Sequence, residues 1–128
     1  MTEHILIVED DENIRVMLQT ALEIKAYSLS FARDGLEALE LLQTTTPSLI
    51  LLDLNLPRMN GYALLETLEK QRPDLSLRII IITADPQAAA RLAQKPLKII
   101  LKPFSLSALF TIIVETFKVG EENVIDPQ

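Results

Sequence analysis

LILLDLNLPRMNG, residues 49–61, decides the fold: four apolar residues, then Asp53, then a stretch holding Pro57, Met59 and Gly61. A run this short and unalternating suits a strand covered on both faces, because a strand with one wet face would alternate apolar with polar residues. The same construction recurs at 5–8, 79–82 and 99–101, with a weaker version at 27–31. Between the runs the period changes. Ile14, Met17, Leu18, Ala21 and Leu22 fall on one helical stripe, as do Leu64, Leu65 and Leu68, and Leu106, Leu109, Phe110, Ile113 and Phe117. Asp11, Asp34 with Gly35, and Ser105 read as helix starts, while Pro47 and Pro73 read as stops. The pattern predicts strands over 4–8, 27–31, 48–52, 78–82 and 98–101, alternating with five helices. With right-handed crossovers this is an α/β fold, a five-stranded parallel sheet with helices on both faces.

A length of 128 residues gives room for one domain. The domain is placed at 1–119, and the polar, acidic stretch 120–128 is expected to be a frayed tail. At this size roughly two-thirds of the unfolded surface can be buried, so no staple is required. No cysteine is present, which removes disulfides, thiolate metal sites and thiol nucleophiles and makes a reducing cytoplasm the expected location. Acids outnumber bases 18 to 12, a formal charge of -6, which disfavours direct binding to nucleic acid. The apolar runs fall far short of the roughly 20 residues that span a bilayer, and Met1, Thr2, Glu3, His4 do not read as a signal peptide. A soluble protein with no membrane partner is expected.

The polar residues at the ends of the apolar runs carry the chemistry. After Val8 come Glu9, Asp10 and Asp11; after Leu52, Asp53; after Ile82, Thr83 and Ala84; after Leu101, Lys102. In a parallel sheet all of these lie at the carboxyl edge, where ligands bind at the point of strand-order reversal. Carboxylates converging there repel, by about 4 kcal/mol for two charges roughly 4 Å apart at an effective dielectric near 20. Lys102 offsets part of that. A hard divalent cation with oxygen ligands would offset the rest, magnesium being favoured because it retains waters and engages phosphate, with manganese as the alternative. A carboxylate nucleophile, a hydroxyl and an ammonium are the parts needed for phosphoryl transfer to Asp53, with Thr83 and Lys102 stabilising the phosphoryl oxygens. Plain structural roles fit other positions better: Asp11 as a helix cap, His4 as an exposed strand start, Met17 as core, and Gly61 as a glycine chosen for backbone freedom.

With Ile5, Leu6, Ile7, Val8, Glu9 and Asp10, with Asp53, Leu54, Asn55, Leu56, Pro57, Arg58, Met59, Asn60 and Gly61, with Thr83 and Ala84, and with Lys102, Pro103 and Phe104, the chain resembles the receiver domain of two-component response regulators. The likeness covers 4–118. It implies the flavodoxin-like, doubly wound strand order 2-1-3-4-5. It further implies that Asp53 is the phosphoacceptor, and that Asp10, Asp53 and the backbone carbonyl of Asn55 hold the metal while Glu9 acts through metal-bound water. Thr83 is then the switch hydroxyl, Lys102 contacts the phosphoryl group, and the Lys102–Pro103 bond is cis. The implied partners are a sensor histidine kinase or histidine phosphotransfer protein as donor, and an output protein that the sequence does not identify. Asn55 and Asp85 would flank the path of attacking water.

The chain departs from the family pattern in two places. Ile99 stands where many members carry a rotating aromatic residue, and the helical stretch between Thr83 and Lys102 is brief, with a core at 88–93 that ends near Lys95 and Pro96. Ile112 and Val114 widen the apolar band of the last helix, suggesting a partner or homodimer surface there. The favoured reading is a single-domain phosphoacceptor rather than an enzyme. The alternatives are the receiver part of a longer DNA-binding regulator, an aspartate-nucleophile phosphatase, and a receiver that binds partners without phosphorylation. The phosphatase is disfavoured because Asn55 occupies the position where a general acid is needed, and the third by the complete set Asp10, Asp53, Thr83 and Lys102.

Overall fold

Each apolar run is a strand, and the strands form one all-parallel sheet in the order β2-β1-β3-β4-β5: β1 (His4–Val8), β2 (Ser28–Ala32), β3 (Leu49–Asp53), β4 (Ile79–Thr83) and β5 (Lys98–Leu101). The computed structural model describes residues 3–76, 78–95 and 97–124. β3 and β4 are buried along their whole length, whereas β2 and β5 keep exposed positions. This accounts for the weaker apolar run at β2, which is an edge strand and needs covering less completely. β2, β3 and β4 each lie one residue later than the sequence suggests. The ladder continues into the polar residue, pairing Asp53 with Ile82 and Thr83 with Leu101. Both therefore belong to rigid strands.

Alternation along the strands divides the core. Ile5, Ile7, Leu49, Leu51, Ile80 and Ile82 face α1 (Glu12–Ile24) and α6 (Leu106–Val124), meeting Leu18, Leu22, Leu109 and Ile113. Leu6, Val8, Ile50, Leu52, Ile79 and Ile81 face α2 (Gly35–Leu42), α3 (Gly61–Gln71) and α5 (Pro86–Leu92), meeting Ala38, Leu42, Leu64, Leu68 and Leu92. The expected caps form: Asp11 accepts from the Ile14 amide at 3.1 Å, Asp34 from Glu37 at 2.9 Å and Ser105 from Ala108 at 3.0 Å. Asn60 and Asp85 cap α3 and α5 in the same way.

Several details differ from the sequence reading. A sixth, single-turn helix, α4 (Pro73–Ser76), follows α3 because proline cannot continue one helix yet is pre-set to begin the next. α6 runs through Val124, so 120–124, assigned to the tail, is helical; 125–128 lie outside the described residues, as does Pro96. Ile112 packs partly buried against the α1–α6 core, leaving only Val114 of that pair well exposed at 45%. No described glycine has a positive φ. Gly61 is needed instead for close approach, since a Cβ there would lie 2.5 Å from the Asp53 carbonyl oxygen and 2.6 Å from the Leu54 Cα.

Candidate functional site

β1, β3, β4 and β5 end side by side, so the parallel register brings Glu9, Asp53, Thr83 and Lys102 to one edge. Val8 pairs with Leu52, which sets Glu9 beside Asp53. Lys102 follows β5, and its amide donates to the Thr83 carbonyl at 2.8 Å. Its ammonium reaches both acids, at 3.0 Å from Asp53 Oδ2 and 3.2 Å from Glu9 Oε1. The two carboxylates are nearly sealed, with side-chain exposures of 6% and 2%, whereas Lys102 retains 20%. The second oxygen of each acid accepts from backbone: the Asn55 amide donates to Asp53 Oδ1 at 3.0 Å, and the Asp11 amide to Glu9 Oε2 at 3.2 Å. The Lys102–Pro103 bond is cis.

Burial pushes the Glu9 carboxyl up to about 7, with the Asp53 charge adding to the effect and Lys102 opposing it. For Lys102, burial works to lower the ammonium. The hydrogen bond and charge of Asp53, joined by Glu9, outweigh it and hold the group above its ordinary value. One cation against two buried acids leaves the pocket short of positive charge.

Asp10 stands at the mouth, exposed, and with Glu9 and Asp53 it offers a set of carboxylate oxygens all within 4.8 Å of one another. That spread suits a small cation, since trans ligands around magnesium lie about 4.2 Å apart at bond lengths near 2.1 Å. The donors are all hard oxygens, which favours magnesium or manganese over softer metals.

Thr83 is buried, and its Oγ accepts from the Asp85 amide at 3.1 Å, tying the end of β4 to the residue that caps α5. Ala84 lines an apolar depression of about 430 Å³ with Ile14, Met17, Lys102, Pro103 and Phe104. Ile99 is partly buried against the α5 face of the sheet. His4 stands apart at the far end of β1, its ring nitrogens 2.9 Å and 2.8 Å from the Ser28 and Ser30 hydroxyls.

Arg15 was not legible in the sequence as part of the site. Its guanidinium Nη1 folds back from the first turn of α1 and donates to the carbonyls of Glu9 at 3.2 Å and Asp10 at 2.9 Å. The available signal is its placement on the turn after the Asp11 cap, where side chains lean toward the helix start.

Residues 5–114 match the response regulator receiver domain family. Among curated relatives, "Probable transcriptional regulator ycf27" of Cyanidium caldarium is 36% identical over 105 residues, 80% of this chain and 41% of that protein. "Response regulator MprA" of Mycobacterium sp. (strain KMS) is 34% identical over 93 residues, 73% of this chain and 40% of that one. The chain thus spans about two-fifths of the length of these relatives. Among solved structures, the CheY-like response regulator receiver domain protein of Methanospirillum hungatei superposes with a TM-score of 0.86 at 28% identity, covering 96% of this chain and 99% of that one. The response regulator protein TrrA of Thermotoga maritima, in complex with Mg2+-BeF, gives 0.81 at 26% identity over 90% and 99%. With the sheet order, the acid-lined carboxyl edge and this match over nearly the whole chain, the protein belongs to the receiver domain family of two-component response regulators.

Proposed function

We propose that Asp53 is the phosphoacceptor of this receiver. The observation that carries the reading is the Lys102 ammonium held between Asp53 and Glu9, with Asp10 beside them, at the carboxyl edge of the sheet. In the transfer, an Asp53 carboxylate oxygen attacks phosphorus, the new P–O bond forms as the P–N bond of a phosphohistidine breaks, and the imidazole of the donor leaves. Lys102 neutralises a phosphoryl oxygen. Thr83, whose Oγ now accepts from Asp85, retains its own proton to donate to another. Asp10, Asp53 and the Asn55 carbonyl would hold Mg2+, with Glu9 acting through its bound water and Mn2+ able to substitute. When bound, the cation supplies positive charge to the transferring group.

The donor would be a sensor histidine kinase or a histidine phosphotransfer protein, and the output a change in how Thr83, Ala84 and α5 meet a partner. The chain would catalyse only its own phosphorylation and dephosphorylation, in the cytoplasm. Among the described residues, no helix is long and apolar enough to cross a membrane. A second reading, favoured by the match covering only about two-fifths of the curated relatives' length, makes this the receiver part of a regulator whose DNA contacts lie elsewhere.

Incubation with a small acyl phosphate and Mg2+, followed by intact mass, tests the assignment. Wild type should gain one phosphoryl group and Asp53→Asn none. A gain in the variant would move the acceptor elsewhere, and no gain in wild type would overturn the reading.

A further inference from the structure

The loop between β3 and α3 must place Asn55, and two residues outside the site hold that loop in shape. Arg58 has φ 58°, in the left-handed region that is costly for a residue with a side chain, so its surroundings must impose the conformation. Arg58 Nε donates to Asp34 Oδ2 at 2.7 Å, and the Asp34 side chain is only 6% exposed. The other Asp34 oxygen caps α2, accepting from Glu37. One residue further along, the Met59 carbonyl accepts from the Gly35 amide at 2.9 Å, and a Cβ on Gly35 would lie 2.6 Å from Met59 Cγ. The tip of the loop is therefore seated on the start of α2. Its base is fixed separately, by the Gly61 amide donating to the Leu54 carbonyl at 3.0 Å. Asn55 lies between these two fixings.

A side-chain ligand can be re-aimed by a rotamer change, whereas a backbone carbonyl goes where its loop goes. The Arg58 side chain is 56% exposed, so as a charge pair alone the contact is worth little. Its consequence is geometric. The structure assigns Asp34 and Arg58 as positioning residues for the cation site, a latch from α2 that presets the Asn55 backbone. This rests on the reading of Asn55 as a ligand given above.

Four proteins test it: wild type, Asp34→Asn, which keeps a capping side chain, Arg58→Ala, and the double variant. Mg2+ binding is measured by titration calorimetry, amide hydrogen exchange of 54–60 without metal, and overall stability by urea denaturation. Each single variant should bind Mg2+ roughly tenfold more weakly and exchange the Asn55 amide faster. The double variant should be no worse than either single one, and Arg58→Lys should recover part of the loss. Wild-type Mg2+ affinity in Arg58→Ala and Asp34→Asn, or losses that simply add, would overturn the latch. A wild type that binds no Mg2+ would instead overturn the underlying site reading, and would show before any variant is compared. Should Arg58→Ala unfold, the urea midpoint reveals it and the Asp34→Asn and Arg58→Lys pair carries the decision.

Discussion

Glu9 is an acid sealed between a second acid and a lysine, and its proton couples folding to pH. Its carboxyl is raised from 4.5 to about 7, first by burial and then by Asp53. A group raised on folding contributes stability that is complete below its unfolded value and is lost as pH climbs through the folded one. The metal-free protein should therefore lose stability, on the order of 3 kcal/mol, as pH rises from about 4.5 to above 7. Urea denaturation across that window should show the slope in wild type and its flattening in Glu9→Gln; equal slopes in the two would refute the assignment. Added Mg2+ should reduce the slope, because the cation offsets the charge that Glu9 acquires.

At the scale of elements, α3 begins against the end of β3, and Gly61 is the point of contact. A methyl group there would press into the Asp53 carbonyl and the Leu54 Cα, both backbone atoms that cannot swing aside. Gly61→Ala should cost about 1–3 kcal/mol, the usual penalty for overpacking, measurable as a lowered urea midpoint. It should also slow phosphoryl uptake, because the shift falls on Asp53, the proposed acceptor. Unchanged stability would mean that α3 can slide outward freely. α5 presents the opposite case: a short helix capped by Asp85, tied through that residue's amide to Thr83 and, at its far end, to α3 through Arg91 on the Tyr62 hydroxyl at 2.9 Å. A strand end and a helix start thus share one hydroxyl.

Over the whole molecule the formal charge is -6, and at one sheet edge three acids lie within 4.8 Å of one another while one lysine bonds two of them. A ligand that neutralises them binds the native state alone, so Mg2+ at about one hundred times its dissociation constant should add roughly 2.7 kcal/mol. The melting temperature followed by circular dichroism should rise by several degrees with Mg2+ in wild type and hardly at all in Asp10→Asn. An equal rise in both would place the cation elsewhere.

The sequence by itself determined the strand number, the two-sided burial and the gathering of Asp53, Thr83 and Lys102, because continuous apolar runs specify a parallel sheet whose carboxyl ends share an edge. Glu9, Asp10 and Asp53 were legible for the same reason, each standing just where an apolar run stops. Periodicity reports which face of an element is buried, but not which side chain arrives from another element to meet it. Only the tertiary structure therefore decided that Arg15 holds the Glu9 and Asp10 carbonyls, that Ile112 packs inward, and that Arg58 reaches Asp34. Gly61 belongs with these, since the reason for a glycine there is a neighbouring backbone and not its own torsion angle. Contacts between loops leave no repeating signature along the chain; they exist only once the sheet has set the distances between its connections.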